Sequence, residues 1–200
     1  MTRRDRFAAL LLLPVLAAAT WAADPKTYVR DDAHSQINFL ASSRLVDAQG
    51  YWEKWTSTIL FDPDAIDKSQ VNITIDAKSI NTRVEMRDND LRSKNFFFAD
   101  SFPTITFVSK IVNKLPGQST DSLMSNTKLN ITGDLTIRGI TKSITVPTTL
   151  VFFDRKANRG RVKGKFLVMR KDYNVGFDPP MNPVQNEVEL TIDISFVAKR

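Results

Sequence analysis

Apolar and polar residues alternate along most of this chain, and this period of two is the feature that most constrains its fold. Successive side chains of a β-strand point to opposite faces, so alternation indicates a strand with one face in the core and the other in water. The run from Val188 to Phe196 alternates without interruption. Similar stripes recur earlier in the chain, with apolar positions Ile37 and Phe39, then Val71, Ile73 and Ile75, then Ile105 and Phe107, then Leu129, Ile131, Leu135 and Ile137, then Ile144, Val146, Leu150 and Phe152. The sequence therefore predicts an all-β protein.

The number and length of these stripes restrict the architecture further. About eight strands are predicted, and several of them are long. Long antiparallel strands with one apolar face must cover that face, either by stacking two sheets or by closing one sheet into a barrel. Arg138-Gly139, between two stripes, has the chemistry of a tight hairpin turn. The strand pattern by itself leaves the sandwich and the barrel open.

One segment breaks the period of two. Residues 83–95 are charged and rich in helix formers, so we predict a short helix at the rim of the β-structure. Thr82 is predicted to cap this helix, with Glu85 completing a capping box. Asp88 and Arg92 are four residues apart, as in an ion pair on a helix surface. Arg87 and Arg92 have a second interpretation, which is that either holds a polar lipid head, because guanidinium groups suit phosphate and carbonyl oxygens.

The N-terminus has the order of a secretory signal peptide. Three arginines among the first six residues precede an apolar run, and small residues follow up to Ala22. We predict cleavage after Ala22, which gives a signal peptide at 1–22, one domain at 23–200, and a periplasmic protein. The formal charge falls from +6 to +4 when this segment is removed. The remaining basic residues are scattered, so no nucleic-acid partner is expected.

Catalytic and metal-binding groups are scarce. The chain contains no cysteine and one histidine, His34, so thiolate chemistry and the usual zinc sites are not expected. No glycine-rich phosphate loop or nucleophile elbow is present. We therefore predict no catalytic residues, no metal and no cofactor. The alternatives are an enzyme acting on a small amphiphile, with Asp88 and His34 in acid–base roles, and a filled barrel that serves only as an interaction module.

Aromatic residues are the positive signal for ligand binding. The chain has 13 phenylalanines, and Trp52 lies close to Trp55. An ordinary core would account for most of these rings. An eight-stranded barrel, however, is of a size that either fills with side chains or holds one small ligand, and inward apolar stripes would make that interior hydrophobic.

Several motifs, taken together, resemble the YceI-like family. They are Asp32-Ala33-His34-Ser35; Gly50, Trp52, Trp55 and Phe61-Asp62; Ser79-Ile80-Asn81-Thr82; Arg87-Asp88; Leu91-Arg92-Ser93; Phe96-Phe97; Phe102-Pro103; and Gly133-Asp134-Leu135-Thr136-Ile137 followed by Gly139, Thr141 and Lys142. The resemblance extends over nearly all of the chain after the signal peptide. The chain departs from the family pattern in three places. The segment between Ser43 and Gln49 lacks the glycine that is typical there, and Ser57 stands where the family usually has a glycine. Phe98 adds a third phenylalanine after Phe96 and Phe97.

The resemblance implies an eight-stranded antiparallel, lipocalin-like barrel with one short helix at the rim. It also implies a periplasmic carrier or storage protein that holds a long-chain polyisoprenoid lipid, such as an isoprenoid quinone or a prenyl pyrophosphate, in the lumen. A homodimer and a membrane-bound respiratory or lipid-handling partner are further expectations. Within such a barrel we predict that Arg87 and Arg92 contact the ligand head. The predicted lumen residues are Phe39, Trp52, Phe61, Ile75, Ile80, Leu91, Phe97, Phe107, Leu135 and Phe166.

Overall fold

The computed structural model describes residues 26–117, 124–177 and 183–199. Within them lie eleven strands: β1 (Lys26–Arg30), β2 (Gln36–Ser43), β3 (Ala48–Trp52), β4 (Trp55–Phe61), β5 (Gln70–Asp76), β6 (Ile80–Asn81), β7 (Thr104–Lys114), β8 (Thr127–Ile137), β9 (Ile140–Asp154), β10 (Arg159–Met169) and β11 (Val184–Ala198). One α-helix of this part of the chain, α1 (Glu85–Arg92), lies between β6 and β7. The predicted signal peptide and its cleavage site lie outside the described residues.

The strands form a closed antiparallel barrel. Going around the wall, the order is β1, β4, β5, β7, β8, β9, β10 and β11, and β11 pairs with β1 to close the ring. The predicted eight-stranded barrel is therefore confirmed, and the sandwich is excluded. Closure gives every wall strand a paired neighbour on each side, although β9 and β10 are paired over only part of their length.

Three of the wall strands continue past short interruptions. β11 is 15 residues long and pairs first with β2 and then with β1, so β1 and β2 are two parts of one broken strand. A 3-10 turn at Asp32–His34 separates them, and the Asp31 carboxylate accepts a hydrogen bond from the N–H of Ala33 there. β3 and β6 similarly continue β4 and β5 toward one end of the barrel, here called the mouth. α1 lies at this end, directly after β6.

An aromatic cluster fills the other end of the barrel, here called the floor. Its members Tyr28, Phe61, Phe153 and Phe196 are each at most 5% exposed. Their ring centroids lie between 4.7 and 6.3 Å apart, five of the six pairs in edge-to-face geometry. Aromatic rings attract one another in such arrangements, so the cluster closes the floor with rigid apolar groups.

A β-bulge changes which side of β9 faces the core. The register between β9 and β10 shifts between the pairs Phe152–Arg161 and Leu150–Val162, which leaves Val151 as the extra residue. An extra residue reverses the inward and outward positions beyond it. Phe153 is consequently 1% exposed and belongs to the floor cluster, whereas Phe152 is only half-buried. The sequence-based assignment of Phe152 to the inward stripe is wrong for this reason.

The hairpin between β8 and β9 has the predicted turn. Arg138 and Gly139 both have positive φ, 52° and 75°, as a two-residue turn of this handedness requires. Farther along β9, the ladder with β10 begins only at Thr148, which pairs with Gly164. Pro147, which has no N–H to donate, immediately precedes this point. Toward the mouth, β9 and β10 are therefore not joined by a ladder.

α1 begins later than the predicted capping box requires. Its first residue is Glu85, and its N-cap, Val84, makes no side-chain hydrogen bond. The predicted cap by Thr82 is wrong, because Arg83 adopts a left-handed conformation with φ of 64° and the Thr82 hydroxyl donates to Asp88 instead. Among the described residues, no helix has the length and apolar character needed to cross a bilayer.

Candidate ligand-binding cavity

The barrel encloses a cavity of about 500 Å³. The cavity lies between the aromatic floor and the elements at the mouth, and every wall strand except β1 contributes to its lining. Inward residues of the long strands supply most of this surface, because the alternation of the sequence places every second side chain there. Six lining residues carry polar side chains: Ser43, Ser69, Arg87, Asp90, Thr148 and Arg170. The rest of the lining is apolar.

Apolar side chains also surround the mouth. Val46, in the turn between β2 and β3, is 56% exposed, and Phe177, after β10, is 51% exposed. Both line the cavity. Leu91 of α1 and Phe97, just after the helix, lie on the same lining and are partly buried. An apolar path therefore leads from the interior of the barrel to solvent.

The structure places nine of the ten predicted lumen residues in the cavity lining: Phe39, Trp52, Phe61, Ile75, Leu91, Phe97, Phe107, Leu135 and Phe166. Ile80 is fully buried and pairs with Trp52 between β3 and β6, but it is not part of the lining. Whether these residues bind a ligand stays a prediction.

Arg87 lines the cavity near the mouth. Its Nε donates to Thr82 Oγ1 at 2.8 Å, and its Nη2 donates to the carbonyl oxygen of Thr82 at 3.1 Å. The Thr82 hydroxyl in turn donates to Asp88, which is 6% exposed. These contacts use one N–H of Nε and one of Nη2, and a guanidinium group has five. Arg87 is thus fixed in place with further donors available.

Arg92 is not among the residues that line the cavity. Its Nε donates to the carbonyl of Lys78 at 2.8 Å, and its Nη2 donates to the carbonyl of Ile80 at 2.7 Å. The predicted ion pair between Asp88 and Arg92 is wrong, since Asp88 accepts hydrogen bonds from the N–H and the hydroxyl of Thr82 instead. The contacts of Arg92 join α1 to the chain just before it.

The two residues considered for acid–base catalysis are not brought together in the cavity. His34 lies on the exposed 3-10 turn between β1 and β2 and is hydrogen-bonded to Asp31 at 2.9 Å. Asp88 is the buried residue of α1. Neither residue belongs to the cavity lining. In the described parts of the chain, no three His, Cys, Asp or Glu side chains are grouped as a metal site would require.

Sequence reasoning missed Arg170, which lines the cavity and is 4% exposed. Its guanidinium donates to the carbonyl oxygens of Gln185, Val175 and Val184 at 2.8, 3.1 and 2.6 Å. These contacts hold the chain after β10 against the start of β11. A Cβ at Gly176 would overlap the same guanidinium, so glycine is required there. The sequence carries no local signal for this arrangement, because its acceptors lie up to 15 residues away.

Comparison with known proteins settles the family. The family model of the YceI-like domain matches residues 28–196, which is most of the chain. The chain belongs to the YceI-like family. Protein YceI of Escherichia coli O157:H7 is 30% identical to this YceI-like protein over 191 residues, which cover 92% of each chain. A UPF0312 protein of Vibrio vulnificus (strain YJ016) is 28% identical over 191 residues, which cover 94% of this chain and 95% of the relative.

Solved structures agree with this assignment. BcnA of Burkholderia cenocepacia matches the YceI-like barrel with a TM-score of 0.72 and 26% identity, covering 83% of this chain and 98% of BcnA. A polyisoprenoid binding domain from Saccharophagus degradans, implicated in plant cell wall breakdown, matches with a TM-score of 0.63, covering 88% of this chain and 99% of that domain. Its identity is 14%, so this second likeness shows the fold alone.

Proposed function

We propose that this YceI-like protein is a periplasmic carrier or storage protein that holds a long-chain polyisoprenoid lipid in its barrel, and that it is not an enzyme. The observation that carries the proposal is the enclosed cavity of about 500 Å³ with its apolar lining. Pockets of roughly 300–1,000 Å³ are typical of small-molecule sites. A filled barrel would leave no such space, so the interaction-module alternative is disfavoured.

The apolar lining provides the binding free energy. Each CH2 group of a lipid tail that leaves water for this lining gains about 0.8 kcal/mol. An isoprenoid tail has many such groups and needs no hydrogen-bond partner along its length. The rigid rings of the floor cluster and the ladders of the wall keep the cavity open without the lipid. The name of the Saccharophagus degradans neighbour supports the choice of a polyisoprenoid as the lipid class.

Arg87 is the group that we propose for the ligand head. It lines the cavity near the mouth, and its contacts with Thr82 leave guanidinium donors for a phosphate or carbonyl oxygen. Arg92 donates to two backbone carbonyls and lies outside the lining, so we now assign it to the support of α1 alone. A quinone and a prenyl pyrophosphate both present oxygens to which Arg87 could donate.

The test is to purify the protein under native conditions, extract it with organic solvent, and identify bound lipids by mass spectrometry. We expect an isoprenoid species in about one-to-one ratio with the protein. Ala41→Trp, which adds an indole to the cavity lining, should remove most of this lipid. Ser42→Trp is the matched control, because the next residue of β2 points to the opposite face of the sheet. Protein that is empty and also fails to take up added quinone or prenol would overturn the proposal.

The remaining parts of the proposal have separate checks. N-terminal sequencing of protein from the periplasmic fraction should begin at Ala23 if the signal peptide is cleaved after Ala22. Light scattering should give the mass of two chains if the protein is a homodimer. Capture of the loaded protein by a respiratory or lipid-handling membrane protein would identify the acceptor.

A further inference from the structure

Large apolar side chains at the mouth of the barrel are exposed to solvent. They come from three separate places in the chain: the turn after β2, the start of α1 and the segment after β10. Met86 and Leu45 are the two most exposed large apolar side chains among the described residues, at 81% and 72%. We call this set the rim patch, and its members are Leu45, Val46, Val84, Met86 and Phe177. Exposed apolar side chains that occur together mark a site of interaction, whereas single ones are common on any protein surface.

A ligand inside the barrel does not cover the rim patch. Val46 and Phe177 line the cavity, so the patch is continuous with the apolar lining. Leu45 and Met86 lie outside that lining. Met86 precedes Asp90 by one turn on the same face of α1, and Asp90 lines the cavity. Met86 therefore projects beyond the entrance, where a partner outside the barrel has to cover it.

The turn that carries Leu45 is held in a fixed shape. The hydroxyl of Ser43 accepts a hydrogen bond from the N–H of Val46 at 3.3 Å and donates to the carbonyl oxygen of the same residue. These bonds close the turn across Arg44 and Leu45, and both side chains are exposed at its tip. Apolar area that the fold keeps in water is unfavourable until a partner removes it.

The charged neighbours of the patch indicate the chemistry of that partner. The turn reads Arg44-Leu45-Val46-Asp47, and the chain entering α1 reads Arg83-Val84-Glu85-Met86, so each stretch pairs one basic and one acidic residue with two apolar ones. All four charged residues are exposed. A zwitterionic phospholipid presents a phosphate that suits arginine and an ammonium group that suits a carboxylate. Below these groups, its acyl layer accepts separate apolar side chains of any shape, whereas a protein partner requires a fitted surface.

We propose that the rim patch docks the protein, mouth first, on the surface of a zwitterionic phospholipid bilayer. Leu45 and Met86 enter the boundary of the acyl layer, while Arg44 and Arg83 contact lipid phosphates at the level of the head groups. Because the patch is continuous with the cavity lining, docking joins the apolar layer of the membrane to the lumen. The inference goes beyond the proposed function, since it concerns side chains outside the lining and holds for any cargo.

The first test measures binding to vesicles of phosphatidylethanolamine and phosphatidylcholine by flotation in a density gradient. The unmodified protein should float with the vesicles. Raising the salt concentration from about 0.1 M to about 1 M shortens the Debye length from about 10 Å to about 3 Å. This change should alter binding by less than about threefold, because the charges beside the patch balance and apolar contact provides the affinity.

Two double variants separate the rim patch from apolar surface elsewhere. Leu45→Gln with Met86→Gln should weaken vesicle binding at least about tenfold, since two apolar side chains no longer leave water on docking. Val108→Gln with Ile111→Gln is the matched control. These two residues of β7 are 48% and 51% exposed and also lie outside the cavity lining. The control variant should bind vesicles as the unmodified protein does.

A second readout reports the position of individual side chains. The chain contains no cysteine, so Leu45→Cys, Met86→Cys and the control Ile111→Cys each create one site for a nitrobenzoxadiazole label. The emission of this label moves to shorter wavelength in apolar surroundings. Vesicles should produce that shift at positions 45 and 86 and leave the label at position 111 unchanged.

Three results would overturn the inference: unmodified protein that does not float, equal loss of binding in the two double variants, or binding abolished by about 1 M salt. A label at position 45 whose emission is already shifted without vesicles, and returns on dilution, would also overturn it and assign the patch to contact between copies of this chain. The proposed function fails by a different measurement, the absence of lipid from natively purified protein, and that result leaves vesicle binding by the rim patch untouched.

Discussion

Arg87 and Asp88, neighbours in sequence, are joined through a single hydroxyl group. Arg87 Nε donates to Thr82 Oγ1 at 2.8 Å, and the same hydroxyl donates to Asp88 Oδ1 at 2.5 Å. Asp88 also accepts from the N–H of Thr82 at 2.8 Å. A buried carboxylate is stable only when its oxygens are hydrogen-bonded. Thr82 therefore allows Asp88 to be buried and at the same time positions Arg87 at the cavity.

Thr82→Val should lower the free energy of unfolding by about 1.5–3 kcal/mol, because it removes one of the two hydrogen bonds to a buried charged group. Urea denaturation at neutral pH measures this change. Thr132→Val is the control, since the Thr132 hydroxyl contacts only the exposed hydroxyl of Thr145 and its loss should cost less than about 0.5 kcal/mol. Equal destabilisation in the two variants would show that the Thr82 hydroxyl does not support Asp88.

Arg87→Ala should weaken binding of an isoprenoid that carries a polar head by about 1.5–3 kcal/mol, the range for a hydrogen bond to a charged group, and should leave squalene nearly unaffected. Arg92→Ala is the natural comparison on the same helix. It removes two hydrogen bonds to backbone carbonyls, so it should lower the melting temperature while the order of affinities among lipids is preserved. Loss of head-group discrimination in Arg92→Ala, with none in Arg87→Ala, would contradict the assignment.

Gly133→Ala should destabilise the barrel by about 1–3 kcal/mol. Gly133 lies opposite the bulge of β7, and a Cβ there would meet the ring of Phe107 at 2.8 Å and the Ser109 Cα at 2.8 Å, as well as a backbone carbonyl. The backbone of β7 would have to move, which costs more than a side-chain adjustment. Asn130→Ala, on the same strand, should change stability little. Thermal and urea unfolding of the two variants measure this difference in stability, and equal stability of the two variants would contradict the prediction.

The pH dependence of stability should include a contribution from Asp193. Hydrogen bonds from Arg161, at 2.7 Å to each carboxylate oxygen, lower the pKa of Asp193, and partial burial opposes this shift. A carboxyl group with a lowered pKa in the folded state stabilises the protein above its unfolded pKa, near 3.9, and loses that effect as the pH falls through the folded pKa. Asp193→Asn should therefore lower the melting temperature at pH 7. The difference in melting temperature between this variant and the unmodified protein should shrink below about pH 4.

Asp67→Asn serves as the control for this measurement, because Asp67 is exposed. Its curve of melting temperature against pH should follow that of the unmodified protein. A difference between Asp193→Asn and the unmodified protein that persists unchanged into acid would show that the carboxylate charge is not responsible.

The sequence by itself determined the strands and most of the cavity wall. The alternation that places Ile75 and Leu135 inward is a local property of the extended chain, and it needs no knowledge of the neighbouring strand. The turn at Arg138-Gly139 is likewise local, since Gly139 adopts the positive φ of the turn without steric cost. The motifs shared with the YceI-like family then selected the barrel over the sandwich, which alternation could not do.

Only the tertiary structure decided the features that depend on distant partners. The bulge that places Phe153 inward arises from pairing between β9 and β10, so the alternating stripe that ends at Phe152 does not predict it. Arg92 resembles an ion-pair partner of Asp88 by spacing, yet backbone carbonyls before α1 compete successfully for its guanidinium. Contacts of this kind are made across the fold, and a linear pattern of residue types does not contain them.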